Sequence, residues 1–225
     1  MGHARMTDFW TKSFGMKCAK SILFAVGLMA LTPSAYAQFS DSYKFLKAVK
    51  DGKGQDATEL IDEPGKGGVI INTRDDATGE TGLHLVVKRR DLGWTGFLLQ
   101  KGANPNIGDK QNVTPLILAT QLNFVEGAFW LLKFKANVDQ TNRSGETPLI
   151  LATQLRNGEL VRLLMSNGAN PDKTDNVAGL SARDYAARDG RGNSILAIIE
   201  NAGKPEPKPA TNAAELDFSG IGENK

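Results

Sequence analysis

Histidine and cysteine, the side chains that carry much of catalytic chemistry, are scarce in this sequence. It contains two histidines and one cysteine, and of these only His84 lies beyond residue 37. A serine or cysteine nucleophile needs a base within hydrogen-bond reach and a third group that orients the base. Beyond residue 37 such an arrangement would have to use His84, and a lone histidine is a weak catalytic signal. We predict no catalytic residue, and an enzyme with an unrecognised site stays as the alternative.

Two glycine-rich segments, 51–54 and 65–68, have the composition of phosphate-binding loops. They consist of Asp-Gly-Lys-Gly and Gly-Lys-Gly-Gly. Neither follows a predicted strand or has the Gly-x4-Gly-Lys-Ser/Thr spacing that surrounds a phosphate, so we interpret both as turns. The adjacent carboxylates Asp75 and Asp76 also fall in a turn, where solvated acids are the ordinary case. Because clustered histidines and cysteines are missing as well, we predict no metal site and no cofactor, with a small-ligand carrier of heme or metal as a weaker alternative.

The first part of the chain has the pattern of a secretory signal peptide. Two lysines precede a ten-residue apolar run at 22–31, and the small-x-small segment Ala-Tyr-Ala follows at 35–37. A bilayer core needs about 20 apolar residues, so this run is too short for a stable membrane anchor. We therefore predict a signal peptide over residues 1–37, with Met16 as an alternative start. The mature protein is expected to be periplasmic, to begin at Gln38 and to keep no membrane anchor.

Charge gives no reason to expect nucleic acid as a partner. The whole chain has a formal net charge of +2, and residues 1–37 carry four basic side chains against one acidic side chain, a net of +3. The remainder is therefore close to neutral, at −1. Because nucleic-acid binding depends on a basic surface that neutralises phosphates, we predict no nucleic-acid partner.

An internal repeat is the strongest pattern in the chain. Residues 114–122 and 147–155 are the same nine residues, Thr-Pro-Leu-Ile-Leu-Ala-Thr-Gln-Leu, 33 positions apart. The frame recurs more weakly as Thr-Gly-Leu-His-Leu at 81–85 and as Ser-Ala-Arg-Asp-Tyr-Ala at 181–186. A fixed period of this size indicates a stack of similar units, each of which buries its apolar face against its neighbours.

Each unit carries the local signals of a helical hairpin. Thr114 and Thr147 can cap a helix whose first residue is the following proline, where the missing amide costs nothing. A second apolar stretch, such as 160–164, has helical spacing. Gly102 and Gly168 stand just past such stretches, where the left-handed backbone that ends a helix suits glycine. The sequence therefore predicts an all-α fold of paired helices joined by projecting turns.

These features together resemble the ankyrin repeat. The shared pattern is Thr-Pro-Leu-x-x-Ala, then paired leucines, then Gly-Ala-Asn-x-Asp or Asn, over roughly residues 41–203. The resemblance implies an ankyrin-type solenoid of stacked helix-turn-helix repeats with projecting β-turn or hairpin loops. On this pattern we divide the chain into a signal peptide, a degenerate N-terminal helical cap, four repeats and a tail, at residues 1–37, 38–71, 72–105, 106–138, 139–171, 172–203 and 204–225.

The C-terminal tail, residues 204–225, is rich in proline and alanine. It has three prolines within five positions and little apolar surface to bury, so we predict that it is disordered. Leu216 and Phe218 are two of its apolar residues. We interpret them as stray apolar side chains, with a short docking motif as the alternative.

Several positions depart from the repeat pattern. Gly82 replaces the proline, whereas Arg90 and Lys135 stand where the pattern has glycine. A lysine in the left-handed conformation costs on the order of 1 kcal/mol. Asn112 and Asn123 also replace glycines, but asparagine tolerates this backbone. We therefore expect the third repeat to be the most regular and the first repeat to be the least stable.

The resemblance further implies that a protein partner binds at the loop tips and on the exposed side of each first helix. The residues at those places are Lys88, Arg89, Lys110, Gln111, Gln121, Leu122, Arg143, Ser144, Gln154 and Leu155. Leu122 and Leu155 are the most informative, because an exposed leucine can anchor a partner. The alternative is that both pack against the loop of the next unit. We expect a monomeric interaction module that serves an unidentified envelope protein as scaffold, inhibitor or protector.

Aromatic residues are concentrated in the second repeat, at Phe124, Phe129, Trp130 and Phe134. We expect Trp130 to lie in the core. Phe134 is the candidate for an exposed aromatic patch.

Overall fold

The computed structural model describes residues 33–189 and 194–202, with side chains from residue 41 onward. Most of the predicted signal peptide and the whole tail, 204–225, lie outside the described residues. Within the described ranges the secondary-structure elements are all helices. None of these helices is long and apolar enough to cross a membrane. These helices are α1 (Pro33–Asp51), α2 (Gly54–Asp62), α3 (Gly67–Ile70), α4 (Gly82–Lys88), α5 (Leu92–Gln100), α6 (Pro115–Gln121), α7 (Val125–Lys133), α8 (Pro148–Gln154), α9 (Gly158–Ser166), α10 (Ala182–Arg188) and α11 (Ser194–Asn201).

The helices form two layers. In the inner layer α1, α4, α6, α8 and α10 contact one another in chain order, and in the outer layer α5, α7, α9 and α11 do the same. Each inner helix also packs on the helix that follows it, so that α1 pairs with α2 and α10 with α11. This stack of successive helix pairs confirms the predicted all-α solenoid.

The helix starts follow the capping signals of the sequence. The hydroxyls of Thr114 and Thr147 accept the backbone amides three residues further on, at 3.3 and 3.1 Å, and a proline is the first residue of both helices. Ser181 and Asp184 cap α10 reciprocally, each side chain accepting the other residue's amide. Such a cap contributes about 1 kcal/mol, because it satisfies amides that the helix leaves free.

Left-handed residues stand at the ends of the helices. Gly102 and Gly168 have φ of +94° and +83°, as predicted from their position past the outer helices. The non-glycine residues Arg90 and Lys135 take the same conformation, at φ of 57° and 66°, and so do Asn112 and Asn123. Arg156, at φ of 55°, was not predicted. It places a strained residue in the third repeat, which the sequence had suggested would be the most regular.

Leucines one repeat apart fill the space between the layers. Each is at most 1% exposed, and burying one leucine contributes about 1.5–3 kcal/mol. They belong to one continuous core that runs from α1 to α11. The inner helices supply Leu83, Leu116 and Leu149, and the outer helices supply Leu98, Leu131 and Leu164.

The departure at Gly82 has a packing cause. A Cβ atom at Gly82 would lie 3.2 Å from the ring of Phe45, which is fully buried in α1. The glycine therefore lets α1 pack closely against α4. A proline at this position would collide with the ring.

The projecting loops contain isolated bridges instead of strands. Antiparallel bridges pair Arg74 with Thr81 and Thr174 with Ser181, in the first and last loops of the described stack. The predicted turn or hairpin loops are thus present in their shortest form.

Candidate protein-binding surface

His84 connects two neighbouring loops. It is 1% exposed, its Nδ1 accepts the Thr81 amide at 3.1 Å, and its Nε2 lies 2.9 Å from the Val113 carbonyl oxygen. Because Nδ1 accepts, the proton is assigned to Nε2, which donates to Val113. Burial lowers the pKa of His84, so the neutral ring is favoured. The only histidine beyond residue 37 is therefore occupied in holding the loop of the next unit.

The loop tips are joined to one another through their backbones. The amide of Lys110 donates to the Thr78 carbonyl at 3.0 Å, and that of Arg143 donates to the Gln111 carbonyl at 2.9 Å. The amide of Asn176 donates in the same way to the Ser144 carbonyl, at 2.9 Å. We call these four linked tips, at 78, 110–111, 143–144 and 176, the tip row. Its hydrogen bonds fix the spacing between successive tips.

Two predicted contact residues of the tip row also hold their neighbours. Lys110 donates through Nζ to the Asp76 carbonyl at 2.6 Å, and the Arg143 guanidinium donates to the Lys110 carbonyl at 3.1 Å. Both side chains are exposed, so they remain accessible while they are hydrogen-bonded. Gln111 is exposed and Ser144 is partly buried.

Acidic and amide side chains at the base of each loop shape the tips. Asp75 accepts the Ala77 and Thr78 amides, and Asp175 accepts the amides of residues 177–179. The hydrogen bond from Thr78 lowers the pKa of Asp75, and the hydroxyl of Tyr185 lowers that of Asp175. Asp109 and Asn142 make equivalent contacts. Sequence reasoning missed these residues, although an Asp or Asn recurring 33 or 34 positions apart was visible.

The exposed side of the inner helices forms a floor beside the tip row. Three equivalent positions of each unit line it, all exposed or partly buried except Leu151, which is buried, and we call this set the groove floor. Its central part consists of leucines and amides, with charged residues toward both ends. The groove floor comprises Leu85, Lys88 and Arg89 of the α4 unit, Leu118, Gln121 and Leu122 of the α6 unit, Leu151, Gln154 and Leu155 of the α8 unit, and Asp184, Ala187 and Arg188 of the α10 unit.

Leu122 and Leu155 differ in exposure, although they occupy equivalent positions in the repeat. Leu155 is 45% exposed, whereas Leu122 is partly buried and packs against the core. The neighbouring amides Gln121 and Gln154 are both exposed. Leu155 is therefore exposed, whereas Leu122 is closer to the alternative of packing within the stack.

The basic pair Lys88 and Arg89 is engaged within the chain. Lys88 forms an ion pair with Glu80. The Arg89 guanidinium donates to the carbonyl oxygens of Val49 and Lys50, the latter at 3.0 Å, at the end of α1. Arg89 thus caps a neighbouring helix, because the last carbonyls of a helix have no partner inside it. Its availability to a partner is smaller than the sequence suggested.

The aromatic patch of the outer layer is placed differently from the prediction. Phe129 is 50% exposed, whereas Phe134 is partly buried and stacks on Trp130 with 5.9 Å between ring centroids. Trp130 is partly buried as well, and Lys133 lies over its ring at 4.8 Å. The prediction that Phe134 is the exposed residue was wrong, because its ring covers Trp130. The exposed aromatic side chain of α7 is Phe129.

Among the residues that the structure describes, no group of three or more histidine, cysteine, aspartate or glutamate side chains is placed to hold a metal ion. Asp75, Asp109 and Asp175 of the loops accept backbone amides instead.

Comparison with known proteins gives two findings. A family model described as ankyrin repeats (3 copies) matches residues 45–142 and 126–208, which together are more than half of the chain. A curated protein of Rickettsia bellii (strain RML369-C) named as an ankyrin repeat protein is 41% identical over 76 residues. That match covers 33% of this chain and 21% of the Rickettsia protein, so the chain matches only about a fifth of that relative's length.

Proposed function

The chain belongs to the ankyrin-repeat family, and from this premise we propose that it binds a protein partner along its groove floor and tip row. Ankyrin repeats are protein-interaction modules, and a solenoid recognises partners through many modest contacts on one extended face. The tip row and the groove floor lie side by side on such a face. The role we propose is that of a scaffold, inhibitor or protector of another protein.

The exposure of Leu155 is the observation that carries this proposal. It is 45% exposed on a helix pair whose neighbouring leucines Leu149 and Leu160 are fully buried. A rigid, well-packed element that presents one large apolar side chain between amides has the composition of an interaction anchor. Burying the rest of that side chain under a partner would contribute on the order of 1 kcal/mol.

The test uses selection of peptides, because the partner is unidentified. A random dodecapeptide library is displayed on phage and selected against the full chain, and bound clones are then tested against Leu155→Arg. We expect Leu155→Arg to lose most of the selected peptides, since a charge at the centre of the groove floor opposes burial. Ser166→Arg, an exposed residue on the outer layer, is the matched control and should retain them.

The unfolding free energy separates binding from folding. Leu155→Arg should change it by less than about 0.5 kcal/mol, because the side chain is at the surface. Leu122→Arg should lower it by more, since Leu122 packs against the core. Selected peptides that bind Leu155→Arg as well as the parent chain would place recognition elsewhere and refute the proposed surface.

The cellular location and the domain division belong to the same proposal. We propose a periplasmic protein, exported by a signal peptide over residues 1–37, with a helical cap at 38–71 and four repeats over 72–203. The two lysines, the short apolar run that follows them and the small-x-small segment support the predicted signal peptide. Fractionation of bacteria that express the full gene, followed by amino-terminal sequencing of the product, tests it. A product that begins at Gln38 in the periplasmic fraction is expected, and an uncleaved cytoplasmic product would contradict it.

An enzyme with an unrecognised site and a carrier of a small ligand are the alternatives. The occupied hydrogen bonds of His84 weigh against a role for it as a catalytic base. Assay of the purified protein against hydrolase and oxidoreductase substrates tests the first alternative, and turnover that is lost on His84→Ala would support it. Visible absorption and metal analysis of the purified protein test the second.

A further inference from the structure

The groove floor has a candidate occupant within the same chain. We propose that the tail segment Glu215-Leu-Asp-Phe218 docks on the groove floor at Leu155 and competes with the partner for it. This inference rests on the proposed function, because it identifies the groove floor as a binding surface. It also replaces the interpretation of Leu216 and Phe218 as stray apolar residues.

The chemistry of the groove floor favours an acidic and apolar segment. Along its outermost row, Leu122 and Leu155 lie between Arg89 and Arg188 in equivalent positions of successive units. Arg188 and Leu155 are exposed. Arg89 retains its charge although its guanidinium is hydrogen-bonded to carbonyl oxygens. Apolar side chains flanked by guanidinium groups suit a ligand in which apolar residues alternate with carboxylates.

The tail segment has this alternation. Glu215 and Asp217 alternate with Leu216 and Phe218. In an extended chain, residues two apart lie on the same side, so both apolar side chains can face the floor at once. Glu215 and Asp217 then lie on the other side of the segment, about 7 Å apart. The arginine within their reach is Arg188, one unit from Leu155, whereas Arg89 lies two units away and contributes only at longer range.

The connection is long enough for this contact within one molecule. The last described helix, α11, packs on α10, and α10 packs on α8. Packed helices lie about 8–10 Å apart, so the path from α11 to α8 is about 20 Å. The segment 203–216 can span at most roughly 45 Å when extended. A tethered segment of this length has an effective concentration near the millimolar range, so even a weak contact is populated.

Disulfide trapping in the full chain tests the contact. Cys18 is first replaced by serine, and Ser219→Cys is paired either with Gln154→Cys, beside Leu155, or with Ser166→Cys, on the outer layer. Both partner positions are exposed. Ser166 ends α9, which contacts α11 directly, so the tether alone favours the Ser166 pair. Docking on the groove floor instead favours the Gln154 pair.

We expect the Gln154 pair to form an intramolecular disulfide at least about fivefold faster than the Ser166 pair under the same mild oxidant. Leu155→Asp, added to the Gln154 pair, should bring its rate down to that of the Ser166 pair. Leu216→Ser with Phe218→Ser should do the same. A Gln154 pair that is no faster than the Ser166 pair, or that Leu155→Asp leaves unchanged, would overturn the proposal.

Peptide selection distinguishes this failure from failure of the proposed function. If the tail occupies the groove floor, the Leu216→Ser, Phe218→Ser chain should bind the selected peptides several-fold more tightly than the parent chain does. Equal binding, with sensitivity to Leu155→Arg retained, would refute the tail contact and leave the proposed function standing. Absence of any groove-dependent peptide, even for the tail variant, would refute the proposed function itself.

Discussion

His84 shows how one residue joins two units of the stack. Its ring accepts from Thr81 in its own unit and donates to Val113 in the next. The sequence identified His84 only as a weak catalytic signal, and the two hydrogen bonds establish its structural role. It did not predict that Leu122 and Leu155 differ in exposure, because the nine residues around them are identical. Their difference arises from neighbouring units, which differ between the two sites.

The pH dependence of stability should report on His84. Burial holds its folded pKa below the ordinary 6.5, so between the two values the unfolded chain binds a proton that the folded chain does not. The unfolding free energy should therefore be constant above about pH 7 and fall as the pH drops below 6.5. Urea unfolding from pH 7.5 to 5 measures this.

His84→Gln serves as the control for that experiment. The variant should be less stable at pH 7.5 by about 1–3 kcal/mol, because the partly buried Val113 carbonyl loses its donor or holds it in poorer geometry. The decline between pH 6.5 and 5 should then disappear. A decline that persists in the variant would assign the pH dependence to other groups. The loop carboxylates Asp75 and Asp175, whose pKa values are lowered, affect stability only near and below pH 4.

At the scale of the helices, capping and chain reversal decide where each element begins and ends. The sequence predicted the threonine caps and Gly102 and Gly168 from local rules, and the left-handed positions 90, 112, 123 and 135 from the places where the repeat pattern has glycine. It missed Arg156, which carries the left-handed turn between α8 and α9. Asn157 follows it and caps α9, and the two residues form the turn together. A pattern search for glycine alone overlooks an arginine in this role.

Lys135→Gly should stabilise the protein by roughly 1 kcal/mol. Lys135 has φ of +66°, a conformation that costs a side chain of this kind about that amount. Its carbonyl oxygen, which accepts from Asn106, is kept by the substitution. Thermal and urea unfolding measure the gain.

Lys133→Gly is the matched control for that substitution. It lies two residues earlier, at the last residue of α7, and should lower the unfolding free energy by about 0.5–1 kcal/mol because glycine weakens the helix and removes the cation above Trp130. An equal loss in both variants would show that the left-handed conformation of Lys135 carries no strain in solution.

Within the residues that the structure describes, the helices form a linear stack, because each helix pair packs mainly against the neighbouring pairs. The period of the repeat made this architecture predictable from the sequence. The faces that pack against one another at each step were less predictable, and Gly82 is an example. A side chain there would crowd Phe45, a residue 37 positions away in a unit whose sequence departs from the pattern.

The ends of the stack should open before its centre. Pairs inside a linear array have two neighbours and end pairs have one, so the central helices gain more interface energy. Backbone hydrogen exchange should be slowest in α6 to α9 and faster in α10 and α11. Exchange followed by mass spectrometry measures this, and one common rate for all helices would contradict it.

Two cavity-forming substitutions, one in the centre and one at the end of the stack, test the same expectation. Leu149→Ala, in the centre, should lower the stability of the entire stack by about 2–5 kcal/mol, whereas Ile199→Ala, in α11, should speed exchange mainly in α10 and α11. Both side chains are at most 3% exposed, so they lose similar packing. If Ile199→Ala speeds exchange equally in α6, the array unfolds as a single unit.

The tip row keeps a constant spacing that does not depend on most of its side chains. Because carbonyl and amide groups of the main chain set the distance from one tip to the next, the side chains at 111 and 144 can be exchanged without altering that distance. Substitutions there can change the binding specificity of the protein while the loop tips keep their positions. Natural selection or protein engineering can therefore alter recognition one tip residue at a time.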